Sequence, residues 1–179
     1  MEMQDFYYQY HEKVRRYVFQ VMRNESVADD IVQDTFLRVI THRHSVHDPR
    51  KIVTWMFSIA HNLCMDYIRR SRDVPLEEQP LPEEDGTAEY IPMIKEIEQR
   101  QMGTCIQQQM DRLPENLRTV IVLRDTLEFT VAETAEILNI SKENAKVRLH
   151  RARMKLREIL SSNCNFEHDE RNVLVCSPH

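Results

Sequence analysis

Glycine is nearly missing from this chain, with two in 179 residues, and no glycine-rich loop is present to cradle a phosphate. Long apolar runs are missing too. Nothing approaches the roughly 18 residues a membrane span requires, and the opening MEMQDFYYQYHEK is not a signal peptide. Membrane insertion is therefore not expected, and a cytoplasmic location is. No nucleophile and base, and no carboxylate constellation, stand at catalytic spacing, so an enzyme is the least expected class. With 41% apolar residues, the composition is that of a helical soluble protein.

Positive charge is also short overall. The net charge of −5 argues at first against a nucleic-acid partner, but its distribution reverses that impression. Residues 1–72 carry 11 Lys and Arg against 9 Asp and Glu, and residues 105–160 carry 10 against 8. Between them, residues 73–104 carry 2 against 9. The acidic stretch DVPLEEQPLPEEDGTAEYIP holds four of the seven prolines, which remove helix donors while the acids repel one another. The expected architecture is all-α, with two small helical domains (1–72 and 99–160), a flexible acidic linker (73–98) and a tail (161–179). Each domain is near the lower size limit for a self-sufficient core, so partner surfaces are expected to fix their arrangement.

Residues 130–157 carry the clearest chemistry. They read as two short helices joined by a tight turn: Ala135 and Leu138 face inward, Asn139 tolerates a left-handed backbone, Ile140 plugs the angle and Ser141 caps the second helix. From Lys142 onward, Ala145, Leu149, Ala152 and Leu156 form one apolar stripe. Seven residues between 142 and 157 are Lys or Arg, against the single acid Glu143. A solvated helix usually mixes its signs, so this bias asks for a polyanion. In such a helix-turn-helix the start of the second helix enters the major groove. Ser141, Lys142, Glu143, Asn144, Lys146 and Arg148 are thus placed for DNA, with Arg151 and Lys155 suited to phosphates.

Three helices can be drawn through residues 1–72. Tyr10, Val14, Tyr17, Val18 and Val21 share a face of the first. In the second, Ser26 is the expected cap, Asp29 and Asp30 occupy the first turn, and Ala28, Ile31, Val32, Thr35, Phe36 and Val39 are the apolar side. The polar THRHSVHDPR is a loop. The third helix, residues 51–72, turns Met56, Ile59, Ala60, Leu63 and Tyr67 inward. It also displays Trp55, His61, Asn62, Asp66, Arg69, Arg70 and Arg72. Single-stranded DNA is bound by that mixture of rings and cations, although a lone Trp at helical spacing also fits a core.

Four strings together resemble one family: ADDIVQDTFLRVI (28–40), TWMFSIAHNLCMDYIRR (54–70), LPENLRTVIVLRD (113–125) and the helix-turn-helix. In this order they are similar to bacterial sigma factors of the extracytoplasmic-function group, which keep only regions 2 and 4. The resemblance implies that Asp29, Asp30, Gln33, Asp34 and Arg38 dock on the clamp helices of the largest subunit of core RNA polymerase, and that region 4 meets the flap of the second-largest. It implies that Trp55, His61, Asn62, Asp66, Arg69 and Arg70 open and read the minus-ten element, with the loop at 41–50 capturing a flipped base whose lost stacking must be repaid. Residues 141–155 would then read the minus-thirty-five element as duplex. It further implies an anti-sigma partner. The resemblance also threads the linker toward the polymerase's RNA path, where Glu77, Glu78, Glu83, Glu84 and Asp85 either mimic nucleic-acid charge or form a solvated tether without contacts. Asn139 departs from the Gly often found in the turn.

The tail is a second departure. Cys164, His168, Cys176 and His179 are spaced C-x3-H-x7-C-x2-H, which offers two thiolates and two imidazoles to zinc or another transition metal but is not a zinc-finger spacing. A redox-sensitive Cys164/Cys176 pair and a plain hairpin around the polar HDERN are the other two readings. Cys64 and Cys105 lie on apolar faces and are expected in the core. The function expected is an alternative sigma factor that requires no cofactor. The competing expectation is a one-component regulator with an N-terminal sensing domain.

Overall fold

The computed structural model describes residues 3–46, 48–73, 106, 108–168 and 174–178. The acidic stretch with Glu77, Glu78, Glu83, Glu84 and Asp85, as well as Cys105 and His179, lies outside the described residues.

Three helices form the N-terminal unit: α1 (Met3–Met22), α2 (Glu25–His42) and α3 (Ile52–Asp73), each packed on the other two. Its core follows the expected stripes. Val14, Tyr17, Val18 and Val21 are buried from α1, all six predicted apolar positions from α2, and Met56, Ala60 and Leu63 from α3. Phe6 and Phe57 join them, whereas Tyr67 points outward at 38% exposure. Cys64 is fully buried as a free thiol, and burial, then the nearby charge of Glu115, pushes its pKa up to about 12.

The cap of α2 is Asn24 rather than Ser26. Its Oδ1 accepts the Val27 N–H at 3.0 Å, so the helix begins at Glu25. Asp29 and Asp30 therefore sit in the second turn, where the helix dipole has largely faded. Between α2 and α3, two short 3-10 turns, Arg43–Ser45 and Pro49–Lys51, replace the plain loop expected there.

The C-terminal unit contains α4 (Glu115–Ile121), a π-helical turn (Val122–Thr126), α5 (Val131–Ile137) and α6 (Lys142–Asn163). A reciprocal cap starts α5: Thr130 Oγ1 accepts the Glu133 N–H at 3.2 Å, and the Thr130 N–H donates to Glu133 Oε2 at 2.8 Å. Asn139 ends the first helix in the left-handed region at φ 51°, and the Ile140 N–H returns to the Ala135 carbonyl at 3.0 Å. Ser141 Oγ then accepts the Asn144 N–H at 3.1 Å and starts α6. This is the turn chemistry expected of the sequence. Ala145, Leu149 and Ala152 bury the inner stripe of α6, with Leu156 partly covered.

A two-stranded antiparallel hairpin, β1 (Cys164–His168) with β2 (Leu174–Pro178), follows the otherwise helical architecture. Of the three readings of the tail, the backbone takes the hairpin. In its register Cys164 stands opposite Pro178 and Cys176 opposite Phe166.

The two units pack on each other, which the sequence alone did not suggest. α1 meets α4, and α3 meets α5. Arg118, itself buried, sends its guanidinium to the carbonyls of Asp111 and Leu113 and, across the seam, to that of Val21 at 3.4 Å. Glu128, at φ 63°, ends the π-turn so that the Phe129 ring meets Phe57 edge-on, with centroids 4.8 Å apart. Arg23 pairs with Asp111 at 3.1 Å and Lys51 with Glu136 at 3.0 Å. Within the N-terminal unit, Tyr17 Oη of α1 and His61 Nδ1 of α3 share a hydrogen bond of 2.9 Å. Burial first, and then the positive charge of Arg148 on α6, push the His61 imidazolium down to about 4.

Two outcomes follow. Thr130→Ala removes a capping acceptor and lowers unfolding stability by about 1 kcal/mol in urea titrations. His61 is held neutral in the folded chain, so its contribution is complete above the ordinary value of 6.5 and is lost as pH falls from 6.5 toward 4. In NMR titrations its ring protons keep neutral-imidazole shifts at pH 5.5, a pH at which a free histidine is mostly protonated.

Candidate nucleic-acid interface

The start of α6 projects from a firm base. Ala145 and Leu149 anchor it to α4 and α5, which leaves Ser141, Lys142, Glu143, Asn144 and Lys146 exposed on the outer side. Arg148 is partly covered, and its Nε donates to Asn144 Oδ1 at 3.0 Å, one turn back. Val147 stands between these polar groups at 47% exposure. Sequence reasoning passed over it, although its position on the polar side of the stripe marks it. An exposed aliphatic in this place suits contact with a thymine methyl in the major groove.

The seven cations of α6 are not equivalent. Arg153 is committed to Asp125 on the π-turn through two hydrogen bonds of 2.9 and 2.6 Å, and Lys155 pairs with Glu158 at 2.9 Å. These exposed pairs are weak restraints, each about 0 to 1 kcal/mol. Among the described residues no ion pair engages Lys142, Lys146 or Arg151. The uncompensated positive charge is thus concentrated toward the N-terminal half of the helix, where base edges are read in this motif.

On α3 the predicted residues divide into two groups. Asn62 is exposed, Asp66 and Arg69 form an ion pair one turn away, and Trp55 lies two turns back, partly buried against the core. The spacing of residues 55, 62, 66 and 69 places them on one face, with Arg70 exposed at its edge. His61 leaves that group and turns toward Tyr17 of α1. Trp55 is braced against the core and keeps part of its side chain exposed.

Asp29, Asp30, Gln33, Asp34 and Arg38 are all exposed on α2. Asp29 is tied to Arg15 of α1 at 2.9 Å, and the others carry the outer face. Two exposed aliphatics stand among them, Leu37 at 54% and Ile40 at 48%. The charge pattern drew attention to the acids, and this apolar centre was missed. A polar rim around aliphatic residues is the anatomy of a protein-docking surface.

For the tail, Cys164, His168 and Cys176 lie on the hairpin strands and His179 falls outside the described residues. Among the described residues no three metal-ligating side chains gather, so the expected zinc site has no support. No helix among them is long and apolar enough to cross a membrane.

Comparison with known proteins matches this geometry. The family model for Sigma-70 region 2 covers residues 6–74, and that for Sigma-70, region 4 covers residues 103–156. The RNA polymerase sigma factor SigZ of Bacillus subtilis is 28% identical over 175 residues, which span 98% of this chain and 96% of the relative. The ECF RNA polymerase sigma factor SigW of the same organism is 31% identical over 158 residues, 84% of each chain. The sigma factor RpoE from Bartonella quintana, solved in complex with the anti-sigma factor NepR, shares the fold. Its TM-score is 0.66 at 20% identity, over 88% of this chain and 96% of that one. CnrH, solved with the cytosolic domain of CnrY, aligns at a TM-score of 0.63 and 21% identity over 89% and 88%. With both regions matched in order and an extracytoplasmic-function relative covered along most of its length, the chain belongs to the extracytoplasmic-function group of the sigma-70 family of RNA polymerase sigma factors.

Proposed function

We propose that this protein is an alternative sigma factor that binds core RNA polymerase and brings it to selected promoters. The observation that carries this reading is the pairing, on one chain, of two different nucleic-acid surfaces. The uncompensated cations at the start of α6 suit duplex DNA, and the face of Trp55, Asn62, Asp66 and Arg69 on α3 suits unpaired bases.

In this reading the roles divide by domain. Residues 1–72 form region 2, and residues 99–160 form region 4. Lys142, Glu143, Asn144, Lys146 and Arg148 read the minus-thirty-five element from the major groove, while Ser141, Arg151 and Lys155 hold phosphates beside it. Asn62, Asp66, Arg69 and Arg70 bind the minus-ten strand against Trp55, with His61 behind them on Tyr17. The α2 face of Asp30, Gln33, Asp34 and Arg38, centred on Leu37, docks on polymerase. The energy for strand separation comes from binding, because bases held in a pocket offset the few kcal/mol of stacking lost. No bond is broken in this work, so the protein acts as a binding factor and needs no cofactor. Its place of action is the cytoplasm, with polymerase and chromosome. An anti-sigma partner is part of the proposal, supported by the complex of RpoE with NepR.

Run-off transcription with bacterial core polymerase tests the reading. The purified chain is expected to direct transcripts from a subset of promoters, and Leu37→Asp to reduce them by at least tenfold while leaving DNA-independent folding signals unchanged. A chain that ignores core polymerase yet footprints duplex operators alone would instead be a one-component regulator. Lys146→Ala, measured as holoenzyme on a promoter fragment, is expected to weaken binding by about 1 to 3 kcal/mol if it reads a base. If it holds a phosphate, the salt slope falls by about 1 without change in promoter preference.

A further inference from the structure

The outer side of α6 has a pattern of its own. Successive residues of a helix turn by about 100°, so Glu143, Val147, His150 and Met154 form a row directly opposite the buried stripe of Ala145, Leu149 and Ala152. All four are exposed, and none is a lysine or arginine. The cations lie to either side, with Lys142 and Lys146 along one flank and Arg148 and Arg151 along the other. A helix about 10 to 12 Å across fills a major groove about 12 Å wide. The flanks of α6 then face the phosphates of the two strands, and the central row faces the base edges.

Glu143 and Val147 are the members of that row in the half of the helix that enters the groove, and each asks for a particular partner there. Among the described residues no hydrogen bond or ion pair engages the Glu143 carboxylate. Between two rows of phosphates a carboxylate is repelled unless it accepts a hydrogen bond. Cytosine N4 and adenine N6 are the donors of the major groove, but adenine sets its N7 acceptor beside the amine, which a carboxylate avoids. Cytosine is the matching base. Val147 presents its methyls to water at 47% exposure, and the thymine methyl is the apolar group of the groove. One helical turn of about 5.4 Å separates the two residues, and stacked base pairs are about 3.4 Å apart, so the contacts fall one or two pairs from each other.

We infer that Glu143 and Val147 set promoter choice: Glu143 accepts from the N4 amine of a cytosine, Val147 packs on the methyl of a thymine one or two base pairs away, and the flanking cations hold the backbone without choosing sequence. The inference rests on the placement of α6 in the minus-thirty-five duplex given above, and it names the bases selected there. Glu143 also stands in the first turn of α6, where the helix dipole favours an acid. That effect bears on helix stability and not on base choice, so the two roles separate by measurement.

The test is a selection by the full-length chain with bacterial core polymerase on promoter fragments randomised across the minus-thirty-five element. Wild type is compared with Glu143→Gln, Val147→Ala and Arg151→Ala, and run-off transcription is measured in parallel. These substitutions alter exposed side chains and leave the buried stripe of α6 intact. Wild type is expected to enrich a cytosine and a thymine one or two pairs apart. Glu143→Gln is expected to lose about fivefold or more of the preference for that cytosine and to keep the preference for the thymine. Replacing the selected thymine by deoxyuridine, which removes the methyl alone, is expected to weaken wild-type binding by about threefold or more and to leave Val147→Ala unaffected. Arg151→Ala is expected to weaken binding to all sequences alike. Enriched sequences without the pair, a cytosine preference that survives in Glu143→Gln, or a deoxyuridine penalty that survives in Val147→Ala would overturn the assignment. A wild type that selects the pair but yields no promoter-specific transcripts would uphold the assignment and overturn the sigma-factor reading.

Discussion

Neither helical unit is large enough to hide all of its own apolar surface, and this shortage governs the structure. In units of 60 to 70 residues the ratio of surface to volume is poor, and a few apolar side chains are always left at the edge. Here the edges are placed against each other. Phe129 lies on Phe57, and the buried residues of both units run together into a single apolar cluster. Arg118 completes the arrangement from the polar side, because its guanidinium donates to carbonyls of two chain segments, one in each unit.

The interior of each unit was legible in the sequence because helical periodicity reports burial directly. All six apolar positions assigned to α2 are buried, and the α6 stripe appears as expected. The tight turn was legible for a different reason. Asn139, Ile140 and Ser141 each have a local preference that agrees with its neighbour's, and the backbone follows all three. Errors fell where two residues offered the same chemistry. Asn24 and Ser26 are both good caps, and the sequence does not rank them when the preceding residue, Arg23, has to turn left-handed at φ 56°. Tyr67 was placed inward by periodicity and is half in water, which an amphipathic ring tolerates.

The seam between the units was not legible at all. Its parts are distant in sequence and individually ordinary: a phenylalanine after a turn, a lysine before a helix, a glutamate on an exposed face. No periodicity links Lys51 to Glu136 across 85 positions. The candidate site was legible in its list of residues more than in its electrostatics. Counting seven cations on α6 treats them alike, whereas Asp125 and Glu158 neutralise two of them and leave a gradient along the helix. The exposed Val147 and Leu37 escaped notice because attention to charge passes over aliphatics on a polar face.

Cys64 has a consequence for the cell in which this chain works. A thiol with its pKa raised to about 12 stays protonated, and its sulfur, enclosed between α3 and the rest of the core, offers neither the thiolate nor the approach that peroxide needs. The one cysteine of residues 1–72 therefore serves as packing and not as a redox sensor.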